Sequence, residues 1–241
     1  MYEKLLEDIQ LFVETNINTF HENRLKRLQE LKLEDILKRK NPYLFRVKNI
    51  STGEELVKSI LDAYLSSQEE TLFGKFLEEL AIYIAEKVYG GHKSTAEGID
   101  LEMEIDDRYY IVSIKSGPHW GNSSQIKRMK RNFREAIRRL RQNGRFRNII
   151  AVNGCCYGRD RRPDKGDYLK LCGREFWKFI SGYDNLYIDI IKPLGYKARE
   201  KNIKYMDEYE RVINKFTFEL MSKFLIEGRI DWEKLIKFSS S

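Results

Sequence analysis

The sequence predicts a mixed α/β fold, in which a central β-sheet is flanked by helices and lies between helix-rich N- and C-terminal segments. Apolar residues recur every three or four positions over residues 1–40 and again over 200–238, which is typical of amphipathic helices. Residues 99–105 instead alternate apolar and acidic side chains with a period of two, as half-buried strands do, and a second strand-like run, 109–115, follows the turn Asp106-Asp107. A basic helical segment then precedes a short apolar run at 148–152, which indicates a buried strand.

Composition indicates a folded protein with one large core. The chain has 241 residues, of which 41% are hydrophobic and 12% aromatic, so we expect a single domain. Three cysteines, an odd number, argue against a disulfide framework and favour the reducing cytoplasm. The sequence contains no apolar run long enough to span a bilayer and does not begin with a signal-peptide pattern. We therefore expect a cytoplasmic protein with no membrane partner.

Helix signals divide the residues before the strands. Asn41-Pro42 interrupts the first helical pattern, and Ser51 and Glu54 have the spacing of a capping box ahead of an apolar run. A further helix is expected after Ser66-Ser67, from about Glu69 to Tyr89, because the glycine pair that follows is a common helix end.

The alternating segment predicts a β-hairpin. With Asp106-Asp107 as a two-residue turn, Leu101 pairs with Val112 and Met103 pairs with Tyr110. The apolar side chains of both strands then lie on one face of the sheet.

The opposite face of this hairpin carries a candidate site. The same register places Asp100 across from Ser113, with Lys115 two residues further along. Directly paired side chains lie about 5 Å apart and diagonal ones about 7–8 Å apart, so Asp100 and Lys115 can reach a common ligand. A carboxylate suits Mg²⁺, which stabilises charge on phosphoryl oxygens, and lysine adds a compact positive charge beside it.

The residues after the hairpin are strongly basic. Residues 124–147 contain ten Lys or Arg residues and one acid, Glu135, within a chain whose net charge is +7. This pattern indicates a nucleic-acid partner, because ordinary surfaces mix charges of both signs. A polar loop is expected at 157–168, a helix at 173–182 and a strand at 186–191.

Several blocks of the sequence resemble a known family. Gly98-Ile99-Asp100, a strand, a turn and then Val112-Ser113-Ile114-Lys115 resemble the core motif of the PD-(D/E)xK nucleases. Four longer blocks resemble type II restriction endonucleases of a PmeII-like branch: residues 113–125, 41–45, 74–78 and 173–177. Together they span roughly residues 41–196.

The resemblance implies a restriction-endonuclease-like core and Mg²⁺-dependent hydrolysis of double-stranded DNA at a short specific site by a homodimer. The whole chain, 1–241, would then be a single nuclease domain, with a helical N-terminal region at 1–68, the core at 69–195 and a helical C-terminal region at 196–241. The sequence has no Walker A pattern, so we expect no nucleotide cofactor.

One departure from the family pattern matters for the chemistry. Ser113 stands where the second acid of the motif is usual, and a serine cannot supply the missing negative charge. Asp100 and Lys115 are the expected catalytic residues. We favour Glu78 as the replacement acid, since Gly74, Ala81 and Ala85 share its helix face, with Glu102 as the second choice and Glu79 as the third. The expected metal ligands are Asp100, Glu78 and Glu102.

Three groups of residues are predicted to contact DNA. The first follows Lys115 and precedes a helix N-terminus, a position that suits phosphate contact: Ser116, Asn122, Ser123, Ser124 and Gln125. The second comprises cations at the start of the basic helix: Lys127, Arg128 and Arg131. The third lies in the polar loop, where arginine can read guanine in the major groove: Arg159, Arg161, Arg162 and Lys165.

Two other functions remain open from the sequence. The chain can be a structure-selective repair nuclease of the same superfamily, or a DNA-binding protein whose nuclease site is degenerate because of Ser113. The homodimer expectation draws on apolar residues of the C-terminal helical region, which we expect to be exposed: Phe216, Leu220, Phe224 and Leu225.

Overall fold

The computed structural model of the protein describes residues 1–142, 144, 146 and 148–240. Two of the ten basic residues noted above, Arg145 and Arg147, lie outside this part of the chain. The described residues form two compact units. Unit 1 comprises Met1–Ile17 and Phe73–Tyr196, and unit 2 comprises Asn18–Leu72 and the residues from Lys197 onward. The single nuclease domain over 1–241, with its three regions, stays a prediction.

The secondary structure is mainly helical. The helices are α1 (Tyr2–Gln29), α2 (Leu33–Leu37), α3 (Pro42–Val47), α4 (Gly53–Tyr89), α5 (Ser123–Gln142), α6 (Arg174–Ser181), α7 (Leu186–Asp189), α8 (Ile191–Leu194), α9 (Ala198–Phe224) and α10 (Trp232–Ser239). The strands are β1 (His92–Lys93), β2 (Leu101–Ile105), β3 (Arg108–Lys115), β4 (Ile149–Cys155), β5 (Leu169–Cys172), β6 (Leu225–Ile226) and β7 (Arg229–Ile230). None of these helices is long and apolar enough to cross a membrane.

Unit 1 is built around a five-stranded mixed sheet, with strands in the order β1-β2-β3-β4-β5. The first three strands pair in antiparallel fashion, and β3, β4 and β5 are parallel. Helix α5 connects β3 to β4, as a parallel pair requires a crossover. The predicted central mixed sheet flanked by helices is therefore confirmed, as are the hairpin and the buried strand that begins at Ile149.

Helices cover both faces of this sheet. On one face, Met129 and Phe133 of α5 pack in a buried cluster with Tyr109, Ile111 and neighbouring apolar residues. On the other face, the ring of Phe176 in α6 lies so close to Gly154 that a Cβ there would be 2.2 Å from it. Glycine thus lets α6 pack directly on β4. The carboxyl ends of β3 and β4 consequently lie between helices that pack on the two faces of the sheet.

Unit 2 is a helical unit with its own apolar core. Buried aliphatic and aromatic residues from α2, α3, the first part of α4, and α9 form one cluster, to which Leu28 of α1 and Leu235 of α10 also belong. Strands β6 and β7 form a hairpin with a two-residue turn, Glu227-Gly228, and both turn residues have positive φ.

Three expectations about local structure are wrong. Residues 225–230 lie within the segment 200–238 that is expected to be helical, but they form the β6–β7 hairpin. Helix α4 is continuous from Gly53 to Tyr89, so the serine pair at 66–67 lies inside it and does not separate two helices. Residues 186–191 are helical and do not form a strand. In that segment the buried residues are Leu186 and Ile190, and four-residue spacing places both on one helix face.

The apolar residues expected at a dimer surface are internal instead. Phe216, Leu220 and Phe224 of α9 are at most 3% exposed and belong to the core of unit 2, and Leu225 packs against that core. Their helical spacing reflects the inner face of a long amphipathic helix. The expectation that these four residues are exposed is therefore wrong, and they offer no face to a second copy.

Candidate active site

The β2–β3 hairpin has the register that the sequence predicts. Asp106 and Asp107 both have positive φ, 49° and 58°, as a two-residue type I′ turn requires. Leu101 pairs with Val112, and Met103 pairs with Tyr110. This register brings Asp100 beside the last residues of β3.

The carboxylate of Asp100 is held by the end of β3. Its Oδ2 accepts a hydrogen bond from the backbone N–H of Ile114 at 2.6 Å and lies 3.4 Å from the hydroxyl of Ser113. The backbone N–H of Asp100 donates to the carbonyl of Val112 at 2.8 Å. Hydrogen bonds to the backbone of β3 therefore fix the orientation of the Asp100 carboxylate.

Lys115 completes a close pair with this carboxylate. Its Nζ lies 3.5 Å from Asp100 Oδ2 and donates to the carbonyl of Ile114 at 2.7 Å. The side chains of Asp100 and Lys115 are 20% and 30% exposed, so solvent or a ligand reaches both. The predicted convergence of these two residues on one face of the hairpin is confirmed, and their catalytic roles stay predictions.

Small residues on α4 allow this helix to approach the sheet closely. A Cβ on Gly74 would lie 3.4 Å from Cβ of Ser116, and Ala81 and Ala85 are fully buried. Glu78 lies on the same helix, one turn after Gly74, and is half-buried. The packing of α4 therefore places this acid against the strand ends.

The electrostatic surroundings of Glu78 connect it to Asp100 and Lys115. Burial raises the pKa of the Glu78 carboxyl above its ordinary value, and the negative charge of Asp100 raises it further. The positive charges of Lys115 and Lys93 act in the opposite direction. The thiol of Cys156 lies near the same group, since burial and then the charge of Glu78 raise its pKa to about 12. Glu78, Asp100 and Lys115 thus form one electrostatic cluster, which we call the Asp100 cluster.

The donor set of this cluster suits a hard divalent cation. Mg²⁺ is commonly bound through one or two carboxylates, with waters and substrate phosphate oxygens completing its octahedron. Asp100 and Glu78 repel one another, and a cation between them would relieve that repulsion. Among the described residues, no group of three or more His, Cys, Asp or Glu side chains is arranged to hold a metal ion. A two-carboxylate magnesium site is thus compatible with the residues present.

Glu102 takes part in a different hydrogen-bond network. Its Oε1 accepts from the hydroxyl of Ser94 at 2.5 Å, and its Oε2 accepts from the hydroxyl of Tyr109 at 2.6 Å. The two carboxylate oxygens are therefore already engaged with neutral donors. Of the three acids proposed to replace the one absent at Ser113, Glu78 is the one in the Asp100 cluster, whereas Glu79 lies 3.8 Å from Lys75 of the same helix.

Two polar residues near this cluster were not anticipated. Asn153 of β4 is 1% exposed and donates from Nδ2 to the carbonyl of Ser113 at 3.1 Å. Its Oδ1 accepts from Nε1 of Trp120 at 3.1 Å, and the Trp120 ring lies 5.6 Å from Lys115 Nζ. These bonds tie β4 and the loop after β3 to the end of β3. A polar residue ending the apolar run 149–152 was the available sequence signal for Asn153.

The loop after Lys115 begins α5 with a reciprocal cap. Asn122 Oδ1 accepts from the N–H of Gln125 at 3.0 Å and from the hydroxyl of Ser124 at 2.7 Å, while Gln125 Oε1 accepts from the N–H of Asn122 at 2.9 Å. This is a capping box, which stabilises the helix start. Ser123 is exposed beside it, and Ser116 is partly exposed at the end of β3. Phosphate contact by these residues stays a prediction.

Helix α5 carries a continuous stripe of cations. Five exposed side chains recur every three or four residues, and they are Lys127, Arg131, Arg134, Arg138 and Arg141. At 1.5 Å per residue this α5 stripe is about 21 Å long. Two nearby acids pair with cations beside the stripe, Glu97 with Arg128 at 2.7 Å and Asp167 with Lys130 at 3.0 Å, and a third acid, Glu135, is exposed on the helix itself.

The polar loop after β4 is organised by Asp160. This carboxylate accepts from the N–H of Arg162 and from Nζ of Lys165, both at 2.9 Å, and lies 3.8 Å from Nζ of Lys170. We call these residues the Asp160 cluster. The charge of Lys165 is therefore paired with Asp160 within the loop. The other predicted DNA contacts of this loop, Arg159, Arg161 and Arg162, are exposed. Arg159 and Arg161 also line a cavity of about 1050 Å³.

Comparison with known proteins agrees with this geometry. Residues 7–202 match the family model described as Type II restriction endonuclease EcoO109I. No curated protein sequence matches the chain significantly.

Proposed function

Because the chain belongs to the type II restriction endonuclease EcoO109I family, we propose that it hydrolyses phosphodiester bonds at a short specific site in double-stranded DNA with Mg²⁺. The observation that carries this proposal is the Asp100 cluster, in which Lys115 Nζ lies 3.5 Å from a backbone-held carboxylate beside a second acid, Glu78. A pair of carboxylates suits Mg²⁺, which stabilises charge on phosphoryl oxygens, and the lysine adds a positive charge beside them.

Asp100 and Glu78 are the proposed metal ligands. The N–H of Ile114 keeps the Asp100 carboxylate oriented, which limits the reorganisation needed when a cation enters. Mg²⁺, when bound, stabilises charge on the phosphoryl oxygens and lowers the pKa of a bound water. Glu102 is left outside this role, since its two oxygens accept from Ser94 and Tyr109.

Lys115 is the proposed positioning group for the water and the scissile phosphate. Its Nζ is partly exposed and hydrogen-bonded to a carbonyl as well as near Asp100, so it is anchored but accessible. In the reaction, the water oxygen attacks phosphorus, the P–O3′ bond breaks, and the O3′ leaving group takes up a proton. The products are expected to carry a 5′-phosphate and a 3′-hydroxyl.

The α5 stripe and the loop arginines are the proposed DNA contacts. The five cations of the stripe are exposed and outnumber Glu135, the one acid of α5, and the neighbouring acids Glu97 and Asp167 are paired with other cations, so net positive charge is available to backbone phosphates. Arg159, Arg161 and Arg162 are exposed in a loop held by Asp160, a rigid support for base contacts.

The finer assignments are also proposals. The PmeII-like branch draws on the sequence blocks named above, and a homodimer agrees with the symmetric sites that such enzymes cut. A cytoplasmic location draws on the three cysteines, all free and buried among the described residues.

Plasmid cleavage tests the proposal. We expect discrete fragments with 5′-phosphate ends when Mg²⁺ is present, and no cleavage when EDTA replaces it. The Asp100→Ala protein should lose cleavage while keeping its melting temperature within a few degrees. Full cleavage by Asp100→Ala would remove this carboxylate from the mechanism. Cleavage that depends on flaps or junctions would favour a structure-selective repair nuclease.

A second candidate function is DNA binding without cleavage. The observation that favours it is Ser113, 1% exposed at the position of the motif's second acid. Duplex binding that weakens with salt, together with no cleavage in Mg²⁺ or Mn²⁺, would support this alternative over the nuclease.

A further inference from the structure

Unit 2 contains a small cationic cavity that the nuclease proposal does not use. The cavity is about 320 Å³ in volume and is lined by residues from the end of α1, the segment after α2, and the middle of α4. Its lining residues are Arg27, Arg39, Lys40, Tyr64, Ser67, Gln68 and Thr71. Three of them are cations and none is a carboxylate.

Neutral groups hold the three cations in place. Arg27 donates from Nη1 to Oε1 of Gln68 at 2.7 Å, and Lys40 donates from Nζ to the carbonyl of Ala63 at 2.8 Å. The hydroxyl of Tyr64 accepts from Nε2 of Gln68 at 2.9 Å and lies 3.4 Å from Nη1 of Arg39. These bonds orient the side chains but do not compensate their charge.

Two acids near the cavity are paired elsewhere. Glu69 lies next to Gln68 in sequence but forms an ion pair with Arg24 at 2.5 Å, and Glu30 lies 3.8 Å from Lys26. Within the described part of the chain, no carboxylate forms an ion pair with Arg27, Arg39 or Lys40. The cavity therefore concentrates positive charge over preoriented donors.

We propose that this cavity, formed by Arg27, Arg39 and Lys40, binds a phosphate group. Two guanidinium groups supply directional N–H donors that match phosphate oxygens, and the lysine adds a compact charge. The hydroxyl groups of Ser67 and Thr71 lie at the wall as further polar partners. The phosphate can come from a DNA backbone or from free phosphate in solution.

Two binding measurements in EDTA distinguish these sources. Calorimetry with inorganic phosphate, at ionic strength matched with chloride, reports free phosphate. Fluorescence anisotropy with a random-sequence 20-base-pair duplex reports backbone phosphate. Neither measurement needs cleavage, so failure of the nuclease proposal would not affect this result.

The double variant Arg27→Gln/Arg39→Gln should weaken binding of the responsible probe about tenfold. If the duplex is that probe, the slope of log affinity against log salt should also flatten by about one to two. Arg27→Lys/Arg39→Lys keeps the charge and should recover part of the affinity. Lys26→Gln is the matched control, since it removes a neighbouring cation outside the cavity and should change either affinity less than about twofold.

Unchanged affinity of both probes in the double variant would overturn the proposal. A loss in Lys26→Gln as large as in the double variant would also overturn it, because the effect would then be one of general charge. A loss for phosphate alone would assign the cavity to free phosphate. The folding control is the thermal unfolding of each variant, which should be unchanged. We expect no loss of fold because both arginines are exposed.

Discussion

Unit 1 contains two clusters of aspartate and lysine that differ in their balance of charge. The Asp100 cluster has two acids, Asp100 and Glu78, and Lys115 at 3.5 Å. The Asp160 cluster has one acid and two lysines, Lys165 at 2.9 Å and Lys170 at 3.8 Å. The first cluster has more negative than positive charge, and the second has the reverse.

We expect this difference in charge to separate a cation-binding site, the Asp100 cluster, from a cluster that stabilises a loop, the Asp160 cluster. In the Asp100 cluster, burial and like charge raise the pKa of Glu78, so a bound cation would lower the energy of the cluster. In the Asp160 cluster, burial by itself would raise the pKa of Asp160, but hydrogen bonds from Lys165 and the N–H of Arg162 and both lysine charges lower it overall. Proximity of aspartate and lysine is therefore not enough to identify a catalytic pair. In our proposal, the surplus of acid over Lys115 is what distinguishes the Asp100 cluster.

The largest expected effect comes from removing the second acid. Glu78→Gln should lower the rate of DNA cleavage about a hundredfold or more, because the variant keeps the size of the side chain but loses a metal-binding charge. Glu102→Gln is the matched control and should keep the rate within about threefold, as its oxygens bind Ser94 and Tyr109. Single-turnover cleavage in Mg²⁺ measures both. Equal losses would erase the distinction between these two glutamates.

A smaller effect is expected on DNA binding without metal. Asp100→Asn should tighten duplex binding in EDTA about fivefold, because it removes a carboxylate that repels the scissile phosphate. Asp160→Asn should not tighten binding, since its charge is already neutralised by two lysines. Anisotropy titrations of a labelled duplex compare the two variants. Equal tightening in both would mean that the clusters do not differ in their net effect on DNA.

For the free energy of unfolding, we expect the Asp160 cluster to matter more than the Asp100 cluster. Asp160→Asn should lower the free energy of unfolding by about 1 kcal/mol at neutral pH, because it weakens hydrogen bonds to a charged group. The pKa of Asp160 is lowered in the folded state, so its contribution is present above the ordinary value of 3.8 and is lost as pH falls through the folded value. The difference from the unmodified protein should therefore disappear in acid. Denaturant unfolding at several pH values measures it, and a gap that does not shrink as the pH falls below 3.8 would contradict the assignment.

The smallest expected effect comes from one lysine of the Asp160 cluster. Lys165→Gln should lower stability by less than half of the Asp160→Asn loss, since Lys165 is 29% exposed and Lys170 remains near the carboxylate. Thermal unfolding of both variants gives the comparison. A loss for Lys165→Gln equal to that for Asp160→Asn would show that Lys170 contributes nothing to the pair.

Local patterns were sufficient for the central part of the fold. Alternation over residues 99–105 and the aspartate turn predicted a register that the structure has, because side-chain direction in a strand has a period of two and a two-residue turn leaves no freedom to slip. The same logic failed at residues 186–191, where a short apolar run is compatible with either strand or helix.

The sequence by itself determined that Asp100 and Lys115 meet, since one hairpin carries both and hydrogen bonding between adjacent strands sets their separation. Only the tertiary structure decided which acid joins them. Glu102 is closer to Asp100 in the chain, but Ser94 and Tyr109 engage it, whereas Glu78 reaches the cluster through the close packing of α4 at Gly74. The small residues on one face of α4 favoured Glu78 from the sequence, but local periodicity left Glu102 and Glu79 open, because the contact that a helix makes depends on which surfaces the rest of the chain buries.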